Sequence, residues 1–239
     1  MRNGPLLIAD RWHINDRVTM KVPTVREILE FDEIKYFDLI YRLYATPYQM
    51  MGELDAKGID YEQISEYNLF WFAFLSISDE DASIVFEDIK PSKFNLVIRD
   101  GQEELYCKDL DLYIDRDTAS AIQDFLRKIN VTDKCMKKAG NSAMKRYLLE
   151  KARKKLKSAK KSKPKRFLED MVINAVNTSD FAAKSFSEAL SMNIYAFNKS
   201  IKQTCKFLDW QNLMHGVYGG TVDSHKVNLQ KAHWLSADD

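Results

Sequence analysis

Apolar residues return at three- and four-residue spacing through segment after segment of this chain, and that period commits most of it to helices packed by one face. From Asp32 onward Ile34, Phe37, Tyr41 and Tyr44 recur at i, i+3, i+7 and i+10, with Tyr36, Ile40 and Leu43 beside them, so a wide stripe of this helix is covered. Ile122, Phe125, Leu126 and Ile129 share a second helical face behind Asp115 or Asp117 as cap, and Ile194, Phe197, Ile201, Cys205 and Leu208 a third. Phe167, Leu168, Met171, Val172 and Ala175 are spaced alike. With eight Gly and five Pro in 239 residues the connections are short.

Start and stop signals divide this helical text. Thr24 and Glu27 have the spacing of a capping box and open a short helix through Leu29. Thr46 before Pro47 opens another, which Gly58 stops, and Asp60 caps a third that leads into Leu69–Leu75. The run Leu-Phe-Trp-Phe-Ala-Phe-Leu is apolar on all sides, so a helix there is expected to be surrounded by protein, as core or as an association surface. The period changes to two in only a few places. Val18–Val22 alternates as a strand that Pro23 ends; Phe94–Ile98 and the run around Leu105-Tyr106 flank Asp100-Gly101, the signature of a two-residue hairpin turn; Leu112–Ile114 adds a strand. The expected fold is therefore mainly α with a small antiparallel β-hairpin insertion, an α+β architecture of helical subdomains packed together.

Charge partitions the chain more sharply than any motif. Residues 1–130 carry 15 Lys and Arg against 25 Asp and Glu, a net of −10; residues 131–170 carry 15 against 4, or +11; residues 171–239 carry 6 against 6. The near-neutral total of +1 hides this division. It suggests an acidic helical subdomain over 1–130 with its β insertion near 94–114, a basic long helix and helical subdomain over 131–220, and a C-terminal tail over 221–239. The boundary falls in Val131–Asn141, where periodicity lapses.

Within the basic part Met144, Leu148, Ala152, Leu156 and Ala159 form a narrow stripe, so Ser142–Ser162 reads as a docked helix about 31 Å long, with Pro164 as a break. Its cations are held at fixed positions. Such a face is a solvated surface, a contact for an acidic protein surface, or a row that displaces counterions from nucleic-acid phosphates. Aromatic interleaving is sparse, with only Tyr147 and Phe167 nearby, which disfavours a stacking platform for single strands. The candidate partner-binding residues are Lys151, Arg153, Lys154, Lys155, Lys157, Lys160 and Lys161, together with Trp234 and Leu235, large apolar residues in a polar terminal segment that docks on its own core or on a partner.

Motifs for chemistry are missing. His13, His215, His225 and His233 have no metal-ligand spacing among themselves or with Cys205 and Asp223; no Gly-x-Ser-x-Gly occurs; Gly219-Gly220 lacks the Lys-Ser/Thr of a phosphate loop and reads as a turn. No catalytic, cofactor-binding or metal residue is assigned, and no enzyme and no cofactor are expected. Cys107, Cys135 and Cys205 are odd in number and far apart, which fits a reducing cytoplasm. The first thirty residues lack the order of a secretion signal, and the longest apolar run is far short of a membrane span, so no membrane contact is expected.

Two sets of stretches resemble a family of proteins from tailed phages and prophages of Gram-positive bacteria, encoded in the structural and tail-assembly region. One is Lys21-Val-Pro-Thr-Val-Arg-Glu-Ile28 with Ala45-Thr-Pro47 and Gly58-Ile-Asp60. The other is Tyr113-Ile-Asp-Arg116 with Phe125-Leu-Arg-Lys-Ile129, the Lys-rich helix, Ile194-Tyr-Ala-Phe197 and Gly216-Val-Tyr-Gly219. The pattern departs around Ser224-His225 and Ala232-His-Trp234-Leu. The resemblance implies a non-enzymatic role in virion morphogenesis, as a tail-assembly chaperone or tail-module component. It implies binding to tail proteins such as the tape measure or tube, or self-association, in the bacterial host cytoplasm or on the virion. Nucleic-acid binding through the 145–166 helix is the alternative.

Overall fold

The computed structural model describes residues 4–135, 139–161, 167–178 and 185–236, and within them the chain is mainly helical with two small antiparallel sheets. A short hairpin, β1 (Arg11–His13) and β2 (Thr19–Lys21), leads into α1 (Val25–Phe31). The sequence indicated the second of these strands but not its partner, because three residues alternating charged and aromatic give no resolvable period. Thr24 forms the expected capping box with Glu27. Asp32, at φ 88°, then closes α1 and, by accepting from the backbone N–H of Ile34 and Lys35, opens α2 (Glu33–Tyr44).

Two expected helix starts move. After Thr46-Pro47 the chain makes turns, with Thr46 and Gln49 bonded reciprocally, and the helix α3 begins only at Met51 and runs to Ala56. Gly58, at φ 73°, ends that segment as expected. Asp60 caps a turn by accepting from Glu62 N–H at 3.1 Å, and it is Ser65 that caps α4 (Glu66–Leu75). Local propensity placed both caps too early.

The aromatic helix α4 is not enclosed. Tyr67, Leu69, Phe70 and Phe74 are buried, but Phe72 is 59% exposed and stacks on Trp71 at 4.6 Å. Phe74 is a hub of the core, edge-on to Phe86 at 5.6 Å and to Phe94 at 5.2 Å. Tyr67 welds α4 to the second sheet: its hydroxyl donates to Ile114 C=O at 2.6 Å and accepts from Leu105 N–H at 3.1 Å. That sheet is β3 (Phe94–Arg99), β4 (Gln102–Cys107) and β5 (Leu112–Ile114), in that order, reached through the one-turn helix α5 (Asp79–Ala82). Asp100 and Gly101 both take positive φ, the two-residue turn expected of this dipeptide.

Asp115 caps α6 (Arg116–Ile129), whose Ala119, Ile122, Phe125, Leu126 and Ile129 enter the core. Its Gln123 donates to Leu43 C=O at 3.0 Å, and its buried Arg127 donates to Tyr44 C=O, so α6 satisfies the orphan carbonyls that end α2. The long helix α7 (Ser142–Lys161) follows, then α8 (Leu168–Thr178), α9 (Phe186–Ser191), α10 (Ile194–Tyr218) and α11 (Leu229–Ala232). Leu168, Val172 and Ala175 of α8, Ala189 of α9 and Ile194 and Phe197 of α10 complete the same core that begins at Leu6, so residues from both sides of the charge boundary share one interior. Buried Asn193 ties the ends together, donating to Leu6 C=O at 2.9 Å and Ala9 C=O at 2.8 Å while capping α10. The break expected at Pro164 lies outside the described residues, as do Lys163, Lys165 and Arg166.

Candidate functional site

The basic segment forms the helix its apolar spacing indicates. Asn141 caps it by accepting from Met144 N–H at 2.8 Å, and its 20 residues span about 30 Å. The packed stripe is shorter and rotated from the one expected. Leu148, Leu149 and Ala152 pack on a small cluster of Met51, Leu54, Tyr61 and Leu69, apart from the main core, whereas Met144 is 48% exposed and Ala159 is also exposed. Contact with α3 covers only the middle turns. The approach is close there: a side chain at Gly52 would bring its Cβ within 3.3 Å of the Ala152 carbonyl oxygen, so a larger residue would have to push the two helices apart by a few tenths of an ångström.

Charge fixes the inner side. Lys145 Nζ donates to both Asp60 oxygens at 2.8 Å and to Glu62 at 2.7 Å, above the Tyr61 ring. Arg153 grips Asp55 with two parallel bonds of 2.6 and 2.8 Å. Hydrogen bonding to Lys145, then to the Glu62 amide, holds Asp60 below the ordinary carboxylate value, and hydrogen bonding to Arg153 does the same for Asp55. The same bonds raise Lys145 and Arg153 above their ordinary values, so all four groups are charged at neutral pH.

The outer side has no such complement. Arg146, Lys151, Lys154, Lys155, Lys157 and Lys161 are exposed, and none forms an ion pair with another of the described residues. No residue from Asn141 to the end of the helix is buried, setting aside Lys160, whose side chain lies outside the described residues. Of the expected contact residues, Lys151, Lys154, Lys155, Lys157 and Lys161 thus face solvent, while Arg153 serves an internal bond. Sequence reasoning missed the docking carboxylates Asp55 and Glu62 and gave Asp60 only the role of a helix cap. Their signal was an acidic stretch flanking Gly58, opposite in charge to a helix with a narrow apolar stripe.

The other two expected residues lie far along the fold. Beyond Gly219-Gly220 the tail returns along α10, with Trp234 edge-on to Phe207 at 5.4 Å and His233 against Trp210 at 4.8 Å. Trp234 is half-buried by its own chain and Leu235 is 66% exposed. Val222 sits so close to Gly216 that a Cβ there would meet it at 2.7 Å.

Among the described residues no three His, Cys, Asp or Glu side chains gather where they could hold a metal ion, and no helix is long and apolar enough to cross a membrane. A groove of about 690 Å³ runs between the N-terminal segment, α1 and the turn before α10; of its charged residues Asp10, Arg11, Lys21, Arg26 and Glu27, Arg11 pairs with Glu87, Lys21 donates to Ser83 C=O and Glu27 accepts from the Thr24 backbone. No family model matches the chain, and no curated protein or solved structure matches it.

Proposed function

We propose that this chain is a non-enzymatic virion-assembly protein of a tailed phage or prophage. In this reading it is a tail-assembly chaperone or tail-module component that holds another tail protein, such as the tape measure or tube subunit, against α7. One observation carries the reading: the chain's own carboxylates pair the cations on the inner side of α7 and, among the described residues, leave six more exposed and unpaired on its flanks and outer side. An acidic body with a rigid basic face suits a partner of opposite charge, for which complementarity sets specificity and association rate. The resemblance to tail-region proteins supplies the setting, the bacterial host cytoplasm during particle assembly.

The test is co-purification from infected or induced cells with the products of neighbouring tail genes. The wild-type chain is expected to bring down a tail protein, and a Lys154→Gln/Lys155→Gln/Lys157→Gln variant to lose it. Recovery of the chain alone, with normal tails formed in its absence, overturns the reading. The same cation row supports a second reading, contact with nucleic acid. Its mark is duplex binding with a steep dependence on salt that flattens in the triple variant.

A further inference from the structure

On the assembly reading above, we infer that the element α7 receives is an acidic amphipathic helix rather than a nucleic-acid backbone. The outer face is a mixed surface. Successive residues turn by about 100°, which sets Lys154, Lys157 and Lys161 at i, i+3 and i+7 on the side opposite Leu149 and Ala152, with Lys151 on their flank. A facing helix presents carboxylates at the same three- and four-residue spacing, so the two rows match turn for turn.

Two features within that face select protein over phosphate. Glu150 stands in the row, one turn from Arg146 and one from Lys154, and it is exposed. A carboxylate there repels a continuous polyanion but meets a single Lys or Arg on a protein partner. Tyr147, 59% exposed, and Met144, 48% exposed, add an apolar end to the face. An apolar end followed by a cationic end is the complement of a helix with apolar residues at one end and Glu or Asp at the other. Phosphates at uniform spacing use neither Tyr147 nor Met144.

The experiment measures binding to the full chain by fluorescence anisotropy. The probe is a synthetic amphipathic helix of about 20 residues with Glu at i, i+3 and i+7 and Leu beside them. Its competitor is a duplex DNA of about 20 base pairs. The wild-type chain is expected to bind the acidic helix, and Lys154→Glu/Lys157→Glu/Lys161→Glu to weaken binding at least about tenfold with an unchanged thermal melt. A probe with Lys in place of Glu is expected to bind that variant, a charge exchange DNA cannot reproduce. If the acidic helix fails to bind, or the exchanged pair does not recover binding, while these substitutions still abolish co-purification of a tail protein, this inference falls and the assembly reading stands. If the variant co-purifies like the wild type, both fall. DNA that displaces the helix at stoichiometric concentration, or a concentration-dependent increase in mass that the variant loses, overturns the inference in favour of a polyanion or a second copy.

Discussion

The helices α6 and α7 are consecutive and amphipathic, yet they belong to the protein in different ways. In α6 seven of 14 residues are buried, including Gln123 and Arg127, which close the end of α2. In α7 the apolar contacts are half-buried and confined to the middle turns, and charge bonds hold the rest. One helix is part of the interior and the other is fastened to it. Substitutions should therefore act on stability through α6 and on partner binding through α7, with little exchange between the two.

The largest effect tests the interior side. Leu126→Ala, at a fully buried site, is expected to cost about 3 kcal/mol in urea denaturation, and a loss below about 1 kcal/mol would place α6 with α7. Arg127→Leu is expected to cost about 2 kcal/mol by leaving Tyr44 C=O without its donor. On the fastened side, Leu149→Ala is expected to cost about 1 kcal/mol or less, because the side chain is only half-buried. Its hydrogen-exchange signature should be local, raising exchange in 142–161 and leaving 116–129 protected; equal acceleration in both would merge the two helices into one cooperative unit.

Acid separates them again. Asp55 and Asp60 are held below the ordinary value of 3.8, so their contribution is complete above that value and is lost as pH falls through the lowered ones. Exchange protection of α7 should accordingly fade below about pH 3.8, before that of α6. At the other extreme Lys145 is raised, so its bond persists through its ordinary 10.5 and is lost only at higher pH. The smallest expected effect is the outer face itself: Lys154→Gln/Lys155→Gln/Lys157→Gln should leave stability within about 0.5 kcal/mol of wild type, and a larger loss would mean that these side chains carry structure.

The difference between the two helices was half legible in the sequence. Recurrent apolar spacing identified α2, α6, α8 and α10, and cap chemistry located Thr24 and narrowed the cap of α6 to Asp115 or Asp117, because these signals are local and compete with little else. The Asp-Gly hairpin was legible for the same reason. What failed was decided at a distance. Asp60 looks like a helix cap until Lys145, 85 residues later, draws on its carboxylate. The stripe of α7 was drawn through Met144 and Ala159, but α3 is only six residues long and cannot cover a 20-residue helix, so its ends remain wet and Leu149 joins the contact instead. Likewise α4 has apolar residues all round but neighbours on only part of its circumference, which leaves Phe72 outside. For the candidate surface, composition identified the cations; only geometry shows that Arg153 is already spent on Asp55 while Lys154 and Lys157 are not.

Asn193 gives the fold a clock. Its side chain joins carbonyls 187 and 184 residues earlier in the chain, and the turn on which it sits bonds Pro23 and Val25. During synthesis at about 5–20 residues per second, the amino-terminal segment therefore waits roughly 10–40 s before its last neighbours leave the ribosome. Until then the bonds that Met192, Asn193 and Ile194 make with the amino-terminal segment cannot form. Slowing elongation ahead of residue 193 is therefore expected to lengthen the period in which the amino-terminal segment lacks these partners, read as greater protease sensitivity of arrested nascent chains.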